Sequence, residues 1–136
     1  MPIMEGTRAV KTAVGEYDFA VDGGAVGTIV LRSAPGDSNG NEIPAGSVIL
    51  GGYIEVDTAL TSGGAATVAV TAESAGDLQT ATAISGDPWS STGRKDVAPD
   101  MTGSATIKTT ARRNLAITVA AAALTAGKFR VVVFYR

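Results

Sequence analysis

Few groups in this 136-residue chain could do chemistry. Glu55 and Asp57 stand two apart in a stretch that alternates as a strand, so their carboxylates project from one face, a starting point for paired-carboxylate glycoside hydrolysis. A catalytic pair of that kind is brought from separate elements across a cleft, about 5 to 9.5 Å apart. Two neighbours on one strand face more simply make a solvated or salt-bridged surface. Gly36-Asp37-Ser38-Asn39-Gly40 matches the G-x-S-x-G string of a nucleophile elbow. That string needs a strand before it, a helix after it and a histidine to take the serine proton, whereas here it lies among turn residues in a chain without histidine. Asp37, Asn39 and Asn41 have the first three ligand spacings of a calcium loop, but Glu42 replaces the glycine of the sharp turn and Val48 the closing glutamate. The expectation is a protein with no catalytic, cofactor-binding or metal-ligating residues.

Missing residue types carry the same message. With neither cysteine nor histidine, Ser-His-Asp and Cys-His nucleophiles, Cys/His zinc sites and the usual neutral-pH acid-base group are excluded, and no disulfide holds the chain. The formal net charge is -2, and basic residues cluster no further than the pairs Arg94-Lys95 and Arg112-Arg113, which argues against a nucleic-acid partner. The start, MPIMEGTRAV, has no apolar signal core, and no run approaches the roughly eighteen apolar residues of a membrane span. A soluble protein without a membrane partner is expected.

Surface groups need elements to hold them, and the clearest element lies in residues 43–60. Val48, Leu50, Ile54 and Val56 fall on one side of a two-residue period and Tyr53, Glu55 and Asp57 on the other, after a turn at Pro44 and Gly46 and around a bulge at Gly51-Gly52. Weaker alternation predicts a strand over 7–14, a better one over 16–21, and another over 27–33 with Ile29 and Leu31 opposite Thr28, Val30 and Arg32. Residues 34–46 read as an exposed loop. The Thr61-Ser62-Gly63-Gly64 turn and the Val68, Val70 spacing suggest a hairpin with the 43–60 strand. Residues 75–85 fit a helical turn or a strand equally. Residues 86–103 have no period and read as a long surface loop, whose Trp89 either pins the loop to the domain or serves as an interface anchor or sugar platform. Strands over 105–110, 114–119 and 128–135 close the chain. In the last, Phe129, Val131, Val133 and Tyr135 make one face, while Val132 and Phe134 leave the other partly apolar.

Short strands, about eight in number, separated by Gly, Pro and Asn turns predict an all-β chain, an antiparallel β-sandwich of jelly-roll type. Residues 7–136 are expected to form its single domain, and residues 1–6 a flexible N-terminal arm. Its candidate partner-binding residues are Tyr53, Glu55, Asp57, Trp89, Val132 and Phe134.

Ile43-Pro44-Ala45-Gly46-Ser47-Val48-Ile49-Leu50, then Tyr53 through Leu60, then Ser62 through Val70, together resemble small virion proteins of tailed bacteriophages. There a proline-glycine turn leads into a strand ending in a D-V-T-A phrase and then into a T-I-x-I strand. Asn114-Leu115-Ala116-Ile117-Thr118-Val119, Leu124-Thr125-Ala126-Gly127-Lys128 and the strand from Phe129 to Tyr135 extend the likeness, whereas residues 86–103 have no counterpart. The resemblance implies a non-enzymatic head decoration, cement or minor capsid protein without cofactors. Such a protein is made in the bacterial host cytoplasm, sits on the capsid surface and stabilises the head. Its partners would be the major capsid protein and copies of itself in a homo-oligomer. A carbohydrate- or receptor-binding module of a tail or fibre is the alternative, since similar scaffolds occur there.

Overall fold

Alternating burial builds the first strand. β1 (Lys11–Asp18) turns Ala13, Gly15 and Tyr17 inward and Thr12, Val14 and Glu16 outward. The computed structural model describes residues 9–33, 41–96 and 107–136. The expected arm at 1–6, the G-x-S-x-G string, and Asp37 and Asn39 of the calcium-like spacing lie outside these residues, as does most of the second half of the 86–103 loop.

After β1 the predicted alternation stops. Asp18 caps a single helical turn, α1 (Phe19–Asp22), by accepting the Ala20 N–H at 3.0 Å, so Phe19 and Val21 do not extend the strand. β2 (Gly27–Val30), β3 (Arg32–Ser33), β4 (Glu42–Ile43), β5 (Ile49–Ser62), β6 (Thr67–Thr71), β7 (Gln79–Ala83), β8 (Gly93–Asp96), β9 (Arg113–Asn114), β10 (Ala116–Ala120) and β11 (Leu124–Tyr135) follow. One sheet has the order β3-β1-β11-β5-β8, a second β2-β10-β6-β7, and β4 pairs with β9. Setting aside the two-residue strands leaves eight, in two four-stranded layers ordered β1-β11-β5-β8 and β2-β10-β6-β7, which is the jelly-roll connectivity. The fold is therefore an all-β antiparallel sandwich, as the turn spacing predicts.

Several local expectations are corrected. The predicted 27–33 strand is divided at buried Leu31, which lets β2 and β3 join different sheets. β5 and β6 likewise belong to different sheets, so residues 61–64 carry the chain across the sandwich rather than around a hairpin. The ambiguous 75–85 stretch is a turn followed by β7. Asp77 organises that turn by accepting the N–H groups of Ala72 and Glu73 at 2.8 Å and of Ser74 at 3.0 Å. The 86–103 stretch contains an edge strand, β8, and over 107–110 only a bridge between Val48 and Lys108 remains of the strand expected there.

The core between the sheets is mainly aliphatic, with buried Tyr135 and one column of three aromatic rings. The Phe129 ring lies 5.2 Å from that of Tyr17 and 4.9 Å from that of Trp89. Around the column sit Ile54, Val56, Val68, Val70, Leu78, Leu115, Ile117 and Val131, all buried. Fully burying side chains of this size contributes about 1.5–3 kcal/mol each.

Tyr17 adds a pH dependence. Its hydroxyl donates to the Gly23 carbonyl at 2.6 Å. Burial, reinforced by the charges of Asp22 and Asp18, pushes the phenol from 10.0 up to about 12. The folded protein thus holds its proton more tightly than the unfolded chain does, so the contribution is intact below pH 10 and is lost as pH rises towards 12. By pH 12 the loss is expected to be on the order of 2–3 kcal/mol. Urea unfolding between neutrality and pH 12 should show this fall in the wild type, and Tyr17→Phe should remove it.

A candidate interaction face on the five-stranded sheet

The registers of β1, β11, β5 and β8 arrange the outward residues in rows. Val14 pairs with Val132, Val132 with Tyr53 and Tyr53 with Asp96. One row along, Arg32 pairs with Glu16, Glu16 with Arg130, Arg130 with Glu55 and Glu55 with Arg94. On the other side of the apolar row, Thr12 pairs with Phe134, and Phe134 with Gly51. An apolar row and a row of alternating charge therefore lie side by side on the outer face.

The apolar side is ordered by ring contacts. The Arg94 guanidinium carbon sits 5.2 Å from the Tyr53 ring centre, and the Tyr53 and Phe134 rings are 6.2 Å apart. This Arg94-Tyr53-Phe134 stack holds three long side chains across three adjacent strands. Its neighbour Val132 is 5% exposed, so the flanking side chains shield this apolar residue. Leu50 at 46% and Val10 at 55% are fully open near the same end of the sheet.

Leu50 was expected inward. Tyr135 pairs with Ile49 but Phe134 with Gly51, leaving Leu50 as the extra residue of a bulge. Ile49 therefore fills the core, Leu50 turns out, and Val48 is only half-buried. The glycine pair makes this possible. Gly51 adopts φ +153°, and a Cβ on Gly52 would lie 2.2 Å from the Val132 carbonyl oxygen.

The charged row is less satisfied. The Arg130 Nε is buried and has no hydrogen-bond partner among the described residues. Among the described residues the ion pairs are Arg32 with Asp22 at 2.9 Å, Arg113 with Glu73 at 2.9 Å and Arg112 with Glu42 at 3.9 Å, so Glu16, Arg130, Glu55 and Arg94 are not locked in close pairs with one another. Among the described residues the sheet thus presents a row of alternating charges without close ion pairs along it.

Four of the six predicted residues, Tyr53, Glu55, Val132 and Phe134, come together on this face. Asp57 is exposed but is the extra residue of a second bulge, between the Val56–Phe129 and Thr58–Lys128 pairs, so it has no direct partner on β11. Trp89 is 0% exposed, which corrects its reading as a surface anchor or sugar platform: it pins its own loop. Its carbonyl accepts the Leu60 N–H at 3.1 Å, and the Lys95 ammonium ties the loop further through the Ser91 carbonyl at 2.9 Å. Val10, Val14, Leu50, Glu16, Arg94 and Arg130 complete the face. Their polarity was visible in sequence, but their juxtaposition follows from pairing between distant strands.

Elsewhere the charged residues do structural work. Arg113 holds Glu73 with two bonds, Nε to Oε1 at 2.9 Å and Nη2 to Oε2 at 3.0 Å, and the Thr110 N–H adds a third at 2.9 Å. These donors hold the Glu73 carboxyl below its usual range. Buried Asn41 gives its side-chain amide to the Leu31 carbonyl. Among the described residues no cluster of three or more His, Cys, Asp or Glu could hold a metal, and no helix is long and apolar enough to cross a membrane.

No protein-family model and no curated protein matches the chain. Two solved structures do. A chain in the acid-stable capsid of Helicobacter pylori bacteriophage KHP30 is 16% identical with a TM-score of 0.58, the match covering 93% of this chain and 86% of that one. A chain of the capsid asymmetric unit of cyanophage Pam1 is 20% identical with a TM-score of 0.59, over 93% of this chain and 83% of that one. At these identities the likeness is one of fold.

Proposed function

We propose that this chain is a non-enzymatic structural component of a phage particle that binds the outside of the assembled head and stabilises it. The observation that carries the reading is the near end-to-end likeness to two phage capsid chains, which covers 86% and 83% of their length. Those chains are thus hardly longer than this one, a size suited to an accessory subunit. The outer face of the five-stranded sheet supports it further, because it pairs an apolar strip with unlocked charges and would lie on the major capsid protein.

Each copy would bridge capsid subunits through an interface of about 1,000 Å² or more, and many such contacts would add through multivalency. Burial of Trp89 leaves the tail or fibre carbohydrate-binding alternative without its stacking platform.

Heads assembled without the protein provide the test. Purified wild type should bind them saturably and raise their heat resistance. Phe134→Asp and Leu50→Asp should each weaken binding about tenfold or more, as for anchors in an interface centre, while leaving the isolated domain folded. No association of wild type with such heads would end the proposal.

A further inference from the structure

A second surface, on the opposite sheet, is independent of head binding. Exposed sheet edges invite pairing unless something blunts them. Edge strand β8 carries Arg94, Lys95 and Asp96. β3 has two residues, and its Arg32 is paired with Asp22. On β7 the Thr80 carbonyl is capped by the Thr82 hydroxyl at 2.8 Å and approached by the Gln79 amide at 3.5 Å. β2 has none of these devices: from Gly23 to Leu31 there is no charged side chain, and Val26 and Val30 are 58% and 54% exposed.

The hydrogen-bond phase of β2 leaves the right groups open. Leu31 donates to the Leu115 carbonyl at 3.0 Å, so by alternation the Ile29 main chain also faces β10, while the N–H and C=O of Thr28 and Val30 face the open side. About Thr28 the valines of residues 26–30, Val-Gly-Thr-Ile-Val, fall at matching distances, Val26 just before β2 and Val30 at its end, with Gly27 opposite Ile29. We infer that β2 pairs antiparallel with β2 of a second copy about a two-fold axis at Thr28, joining two four-stranded sheets into one. The two Thr28 residues exchange both hydrogen bonds, Val30 of each copy packs beside Val26 of the other, and Gly27 leaves room for Ile29 opposite it. No like charges meet.

One such strand pair is far smaller than the ~1,000 Å² of a stable interface, so half-association near roughly 100 µM is expected, strengthened wherever copies are held close together. Sedimentation of the isolated full chain over a concentration series should show monomer giving way to dimer. Amide exchange at Thr28 and Val30 should slow as concentration rises. Thr28→Pro removes an outward N–H, and Val30→Lys sets a charge beside the apolar Val26 of the other copy and on the open edge. Each should stay monomeric over the same range with its melting temperature nearly unchanged. A wild type that remains monomeric throughout, or a dimer that both variants form equally well, would overturn the inference. Either result leaves head binding to be judged on its own.

Discussion

Trp89→Ala is expected to cost about 3–5 kcal/mol, the range for deleting a large buried aromatic side chain. The indole is fully buried against Phe129, in the column that also contains Tyr17. Its removal would undercut the loop that β8 follows and expose the Leu60 end of β5. Trp89→Phe should cost much less, about 1–2 kcal/mol, for two reasons. Ring packing survives in part, and the Nε1–H is buried without an acceptor among the described residues, so deleting that donor removes a desolvation cost. Urea unfolding followed by circular dichroism separates the two variants. If Trp89→Ala unfolds within 1 kcal/mol of wild type, the loop does not depend on this side chain.

Gly52→Ala should be the next most damaging change, at roughly 3 kcal/mol or more. A Cβ there would meet the Val132 carbonyl oxygen at 2.2 Å and the Val133 Cα at 3.1 Å, both part of the main chain of the neighbouring strand. No side chain can rotate to relieve the clash, so β5 and β11 would have to part where the β5 bulge turns Leu50 outward. Gly63→Ala is the matched control, since a Cβ at Gly63 meets nothing within 4 Å. Thermal melts should show a large drop for the first and almost none for the second. Equal melting temperatures would mean that the two strands are not held so close.

How much of this was legible in the sequence varies with how far each feature depends on distant residues. The strand around Ile54 and Val56 was readable because its alternation is local, and so was the presence of a bulge at Gly51-Gly52. Which way Leu50 points was not, because it depends on the pairing of Gly51 with Phe134, more than eighty residues on. β8 escaped, and β7 stayed open between a helical turn and a strand, because both are edge strands: QTATA and GRKD bury little and show no apolar period. The residue type of Trp89 was plain and its burial was not, since nothing in Asp-Pro-Trp-Ser-Ser says which way the loop folds. On the candidate face, Tyr53 and Glu55 fall together by simple alternation. The row through Glu16, Arg130, Glu55 and Arg94 exists only through register across four strands.

The proposed function puts this jelly roll on the outside of a phage head with its β1-β11-β5-β8 face against the capsid, and a cryo-EM map of the particle would decide it. The expected density is a copy of this sandwich on the head surface, with Tyr53, Val132 and Phe134 facing a capsid subunit. The claim is contradicted if the density lies in a tail or fibre, or on the head with that face turned to solvent.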